Sequence, residues 1–190
     1  YLYGYEGSYL DLSYLENLYS LIIWDSYNLQ NISFPDNLNY LDMGYTDISN
    51  FNLNQLDNLY SLNLNGYEGS YLDLSILDNL SWLSISGCYN LQNISFPENL
   101  SYLNLSYNDS LNLEDISFPE NLTELYLYGS QGSYLDLSNL DNLSSLGLYL
   151  WDNYNLQNIS FPENLSSLYL EGSQGSYLDL SYLENLHDLS

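Results

Sequence analysis

Apolar residues recur along this chain in a fixed cadence rather than in blocks. The pattern L-x-x-L-x-(L/I/M) starts at Leu18, Leu38, Leu59, Leu80, Leu100, Leu122, Leu143 and Leu165, and a ninth start at Leu186 runs into the last residues. Successive starts lie 20, 21, 21, 20, 22, 21, 22 and 21 residues apart. In most units the last two apolar positions alternate with less apolar ones, the period of two expected of a strand with one buried face, and Ile22 breaks the alternation in the first. A short strand returning every 20–22 residues predicts a solenoid of stacked coils, with the strands aligned in one parallel sheet.

Two kinds of segment carry the chain from one strand to the next. One reads G-x-x-G-S-Y-L-D-L-S-x-L-(D/E)-N-L, as in 66–80, 129–143 and 172–186. The other reads Y-N-L-Q-N-I-S-F-P-(D/E)-N-L, as in 27–38, 89–100 and 154–165. Neither has a helical period. Alternation such as Tyr71-Leu72-Asp73-Leu74-Ser75 favours extended structure, so the convex side is expected to hold short strands, turns and 3-10 pieces with little or no α-helix. The Phe-Pro pairs (Phe34-Pro35, Phe96-Pro97, Phe118-Pro119, Phe161-Pro162) put an aromatic into the core beside a rigid turn.

Unit length and phased leucines together resemble the leucine-rich repeat family, over essentially all of residues 1–190 and as a single solenoid of about nine repeats. The short return segments are most similar to bacterial surface proteins of the internalin and BspA-like kind. The resemblance implies a parallel sheet on the concave face. It also implies a column of Asn, Cys, Ser or Thr shortly after the strand, hydrogen-bonded within the coil. Ser26, Thr46, Cys88, Asn108, Ser130 and Ser173 fit that column, Tyr5 and Tyr67 depart from it, and one repeat reaches Asn153 only after an apparent insertion. Cys88 is accordingly expected to be a buried column residue, without the basic neighbour that would make it reactive.

An acid followed by Asn precedes every leucine start. The acids are Glu16, Asp36, Asp57, Asp78, Glu98, Glu120, Asp141, Glu163 and Glu184. Coils about 4.8 Å apart would turn the following Asn residues into a hydrogen-bonded ladder. Like charges at that spacing repel by roughly 1 kcal/mol per adjacent pair even in water. The acidic column is therefore expected to splay into solvent, or to take up divalent cations such as Ca²⁺ non-specifically; no dedicated calcium-loop motif is present, and no other cofactor is expected.

Residues between the strand leucines are expected on the concave surface. There the sequence puts Tyr40, Trp82, Tyr102, Tyr126 and Tyr169, with Trp24, Tyr128 and Tyr149 just beyond the leucines. Aromatics among Ser, Asn and Asp suit a recognition surface for glycan or protein. Tyr9, Tyr71, Tyr134 and Tyr177 fall instead on return segments. Of ten Asn-x-Ser/Thr sequons, Asn31, Asn93 and Asn158 lie on the convex side and are the best placed for glycosylation.

Charge narrows the function classes. The chain has 25 Asp and Glu, one His and no Lys or Arg, a formal net charge of −25. Nothing in it can neutralise phosphates, which excludes a conventional nucleic-acid binder and disfavours anionic membrane surfaces. No apolar run reaches the length of a bilayer span. The lone His187 and lone Cys88 are nearly five repeats apart, and a solenoid offers a surface rather than a deep pocket, so no enzyme is expected. Neither end carries a polar capping repeat, and 4–18 nearly recurs as 172–186. That leads to the expectation of a head-to-tail homopolymer, an extracellular filament or surface layer. The alternative expectation is a cell-surface adhesion module acting through the concave aromatics.

Overall fold

The second and fourth residues of each strand hold the coils together. The computed structural model describes residues 1–46, 48, 51–129, 134–149, 158–172 and 178–190, so Ser130, Asn153, Ser173 and Tyr177 lie outside the described residues. With strands numbered in chain order, the concave sheet comprises β1 (Leu2–Tyr3), β3 (Ser20–Trp24), β5 (Tyr40–Gly44), β6 (Ser61–Asn65), β8 (Trp82–Ser86), β10 (Tyr102–Ser106), β11 (Glu124–Tyr128), β13 (Ser145–Tyr149), β15 (Ser167–Glu171) and β16 (Asp188–Leu189). These ten lie side by side in that order, all parallel. The register never slips. Leu41 sits between Leu21 and Leu62, and Met43 between Ile23 and Leu64.

Because side chains alternate across a strand, the second and fourth positions point inward throughout, and Leu62, Leu64, Leu83, Ile85, Leu103, Leu105, Leu125, Leu127, Leu146 and Leu148 are all buried. The leucine that opens each pattern closes the coil from the other side, with Leu38, Leu59, Leu80, Leu100, Leu122, Leu143 and Leu165 buried as well. The molecule is a leucine-rich repeat solenoid.

The convex side is built as expected, from strands, turns and 3-10 helix. Three two-stranded parallel sheets pair β2 (Tyr9–Asp11) with β4 (Asn31–Ser33), β7 (Tyr71–Asp73) with β9 (Asn93–Ser95), and β12 (Tyr134–Asp136) with β14 (Asn158–Ser160). Each joins one glycine-type return segment to the Phe-Pro-type segment of the next coil. Two further coils carry 3-10 helices, Leu53–Gln55 and Leu113–Asp115, each opened by an Asn side chain (Asn52, Asn112) accepting a backbone N–H. After β2, β7 and β12 the chain turns sharply, with Ser13, Ser75 and Ser138 each donating N–H and hydroxyl to the Asp two residues earlier, and Ser181 makes the same pair of bonds to Asp179. Among the described residues no helix is long and apolar enough to cross a membrane.

The Phe-Pro expectation holds for two of the four pairs. Phe34 and Phe161 are in the core, and Phe34 meets Phe51 of the next coil edge-on at 6.3 Å. Phe96 and Phe118 are only half-buried. They come from successive coils, and the gap between their two Phe-Pro turns stays open as a groove of about 380 Å³ also lined by Glu98, Glu120 and Asn121.

The predicted Asn ladder forms, as side chain to backbone rather than amide to amide. Asn37, Asn58, Asn79, Asn99, Asn121, Asn142, Asn164 and Asn185 each donate Nδ2–H to the carbonyl of the acid in the preceding coil, at 2.7–3.4 Å. A second ladder, not anticipated from the sequence, runs just before the strands. There Ser101, Thr123, Ser144 and Ser166 donate their hydroxyls to the carbonyls of Ser81, Ser101, Thr123 and Ser144 in turn.

Candidate recognition surface

Positions one, three and five of every strand share the face opposite the leucines, which puts all eight sequence-selected aromatics on one surface. Tyr40, Trp82 and Tyr102 occupy position one, Tyr126 and Tyr169 position three, and Trp24, Tyr128 and Tyr149 position five. Strict register then turns aromatics 20–24 residues apart in sequence into physical neighbours, in three groups. Trp82 stacks on Tyr102 at 4.9 Å with the rings 10° from parallel, and Tyr126 follows at 5.7 Å. Tyr107, Tyr128, Tyr149 and Tyr169 form a second run with successive centroids 5.9, 3.6 and 4.8 Å apart. Trp24 and Tyr45 make an edge contact at 6.4 Å.

Each group rests on a feature that holds its rings in place. Gly44 lies under Trp24 and Gly147 under Tyr126, so closely that a Cβ would come within 2.7 and 2.5 Å of the ring carbons. Asp42 is buried at position three and carries three donors: Trp24 Nε1–H to Oδ1 at 2.8 Å, and Asn63 Nδ2–H (3.1 Å) and Tyr40 O–H (3.4 Å) to Oδ2. Tyr126 donates to Glu124 Oε2 at 3.4 Å, and Tyr169 to Glu171 Oε2 at 2.6 Å.

These contacts shift the phenols. The Glu171 carboxylate, which the neutral phenol bonds and the phenolate would repel, pushes Tyr169 up to about 12. Burial raises Tyr128, reinforced by Tyr149. Burial, then the Asp42 charge, raises Tyr40, and burial raises Tyr102.

Sequence reasoning missed Asp42, because nothing local marks a carboxylate as buried. It also missed the strand-exit column. The residue after position five has positive φ in Gly4, Asp25, Tyr45, Gly66, Gly87, Tyr107, Gly129 and Gly172. Five glycines at that spacing were a readable signal for the left-handed conformation. Asp25, Tyr45 and Tyr107 hide it, and they adopt φ of 54°, 50° and 55° although a side chain there costs about 1–2 kcal/mol.

Other sequence-selected residues are accounted for more simply. Ser26, Thr46, Cys88 and Asn108 are buried and link neighbouring coils, for example Cys88 N–H to Asn108 Oδ1 at 2.9 Å. Burial pushes the Cys88 thiol up to about 11. Tyr5 and Tyr67, the departures from that column, instead span their own loops and donate to the carbonyls of Tyr9 and Tyr71. Glu16, Asp36, Asp57, Asp78, Glu98, Glu120, Asp141, Glu163 and Glu184 form an exposed row on the flank beside the Asn ladder. Among the described residues no three of His, Cys, Asp and Glu gather closely enough to hold a metal ion. Asn31, Asn93 and Asn158 open β4, β9 and β14 and are exposed, as is His187.

The family description "BspA type Leucine rich repeat region (6 copies)" matches residues 24–135 and 75–176. The chain belongs to this family. No curated protein matches its sequence. Among solved structures it is similar to an internalin, inlF, from Listeria monocytogenes, at 15% identity over 88% of this chain and 73% of that one, with a TM-score of 0.36. It is also similar to the plant peptide hormone receptor RGFR1, solved in complex with RGF2, at 20% identity and a TM-score of 0.30. That match covers 87% of this chain but only 42% of the receptor.

Proposed function

We propose that this BspA-type repeat protein is a non-enzymatic recognition module of the cell surface or extracellular space, holding its partner against the concave aromatic face. The observation that carries the reading is the strained backbone at Tyr45 and Tyr107. Both occupy a column that glycine fills in five described coils and Asp25 in one, and both rings extend a concave aromatic group. Strain kept where a cheaper residue would fold as well supports a role outside folding. The exposed sequons at Asn31, Asn93 and Asn158 lie on the convex strands, so glycans attached there leave the concave face clear.

The test is binding to arrayed glycans and surface proteins by the wild-type chain, by Trp82→Ala and Tyr128→Ala, and by the convex variants Tyr9→Ala and Tyr71→Ala. Loss in the first pair alone supports the proposal. Equal loss in both pairs, or none, overturns it. Electron microscopy of the same sample reads out the filament expectation, and uniform head-to-tail polymers would move the function to structural assembly.

A further inference from the structure

Three concave carboxylates share one arrangement. Asp42 is bonded by Trp24, Tyr40 and Asn63. Glu124 is bonded by Tyr126 and lies beside Tyr102 across the strand pair. Glu171 is bonded by Tyr169 and lies beside Tyr149. Each site is therefore one carboxylate flanked by two aromatic side chains. No Lys or Arg exists anywhere in the chain to answer these charges.

Resting on the recognition reading, we infer that the occupant is a basic polypeptide with three arginines, two of them bonding Glu124 and Glu171 against the neighbouring rings and the third lying over Trp24 and Tyr40 in the field of Asp42. A guanidinium fits such a site better than any other biological group. It stacks flat on an aromatic face while its fork bonds a carboxylate. A carboxylate accepts up to about four hydrogen bonds, so a phenol on one oxygen leaves room for the fork. Asp42, buried beneath Trp24 and Tyr40, contributes its field and holds the rings; Glu124 and Glu171 are half-exposed and bond directly. A chain of net charge −25 also draws a cationic partner toward it from solution.

The sheet sets the spacing. Asp42 and Glu124 are four strands and two residues apart, and Glu124 and Glu171 two strands and four residues apart. With strands about 4.8 Å apart and residues about 3.3 Å apart, the separations are about 20 Å and about 16 Å. The offset along the strands reverses at Glu124, so the path bends there, and extended backbone covers the two legs in about six and about five residues. The fitting pattern is Arg-x5-Arg-x4-Arg, or its reverse when the peptide runs the other way.

The test uses three synthetic Ser/Thr peptides of equal length and charge, with three arginines in that spacing, in the reversed spacing, or contiguous. Binding to the intact chain is followed by calorimetry and Trp fluorescence in 150 mM NaCl. The expected result is at least ten-fold tighter binding of one spaced peptide than of the contiguous one. Glu124→Gln and Glu171→Gln should each weaken it about five-fold and flatten its salt dependence. Equal affinity for spaced and contiguous peptides, or indifference to both Gln variants, overturns the inference. A set of neutral hexasaccharides is run in parallel. Saccharide binding that is lost in Trp82→Ala, with no peptide binding, sinks the basic partner and leaves the recognition reading standing. If neither probe perturbs the concave aromatics, both fall.

Discussion

The indole of Trp24 donates its N–H to the carboxylate of Asp42 on the adjacent strand, at 2.8 Å. Asp42 is 8% exposed and, with no Lys or Arg in the sequence, its carboxylate is bonded by the neutral donors of Trp24, Tyr40 and Asn63. Hydrogen bonds to a charged group contribute about 1.5–3 kcal/mol, and a buried donor left without its acceptor costs about 1–3 kcal/mol. Asp42→Ala is therefore expected to lower unfolding free energy by about 1–3 kcal/mol and to shift Trp emission. Asp42→Asn should cost less, because its Oδ1 still accepts from Trp24. Urea unfolding of both variants checks the order.

Gly147→Ala should disturb the surface without touching the core. A Cβ there would meet the Tyr126 ring at 2.5 Å, so the ring must move away from Tyr102. Crowding of this kind costs about 1–3 kcal/mol. A drop in melting temperature together with altered near-UV circular dichroism is the expected outcome. A variant with unchanged spectra would mean that Tyr126 is not held by the floor beneath it.

Tyr107→Gly separates strain from recognition. The substitution relieves a left-handed residue and removes a ring that lies 5.9 Å from Tyr128. Stability is expected to change by less than about 1 kcal/mol, since the relief of about 1–2 kcal/mol offsets the lost contact and glycine's greater freedom when unfolded. Partner affinity should fall at least five-fold. Calorimetric unfolding and binding titrations on one preparation decide the matter.

The Asn ladder makes a local contribution at each coil. Asn79→Ala deletes a 2.7 Å bond to the carbonyl of Asp57 at an exposed position, where water replaces part of it. A loss of about 0.5–1.5 kcal/mol is expected, and Asn121→Ala, two coils away, should add to it nearly independently. Chemical denaturation of the two single variants and the double variant tests this.

Alkaline pH should act through the stacked phenols. Tyr169 is raised to about 12, chiefly by its bond to Glu171. A raised folded value means that the bond's contribution is complete below about pH 10, the phenol's unfolded value, and is lost as pH climbs through about 12. Absorbance at 295 nm should show Tyr169 and Tyr128 ionising above the ordinary phenol value of about 10. Glu171→Gln is expected to bring Tyr169 back toward 10.

How much of this was legible in advance follows from what a period can encode. Leucines such as Leu62 and Leu64, repeating in phase every 20–22 residues, leave one arrangement that buries them all, because a one-residue slip would turn the whole row to solvent. Strand positions, the face that carries Trp82 and Tyr102, the buried Cys88 and the existence of an Asn row were therefore readable from the chain alone. Assembly decided the rest. Whether a phenol lies 3.6 Å from its neighbour, as Tyr128 does from Tyr149, depends on rotamers set by the residues beneath. Whether a carboxylate is buried, as Asp42 is and Glu124 is not, depends on the coils on either side. Tyr45 and Tyr107 share a left-handed strand exit with five glycines and Asp25, a conformation their residue type resists and does not announce. Periodic burial is a property of one chain position repeated, and the sequence carries it. Contacts between unlike residues of neighbouring coils are a property of the stack, and only the folded structure supplies them.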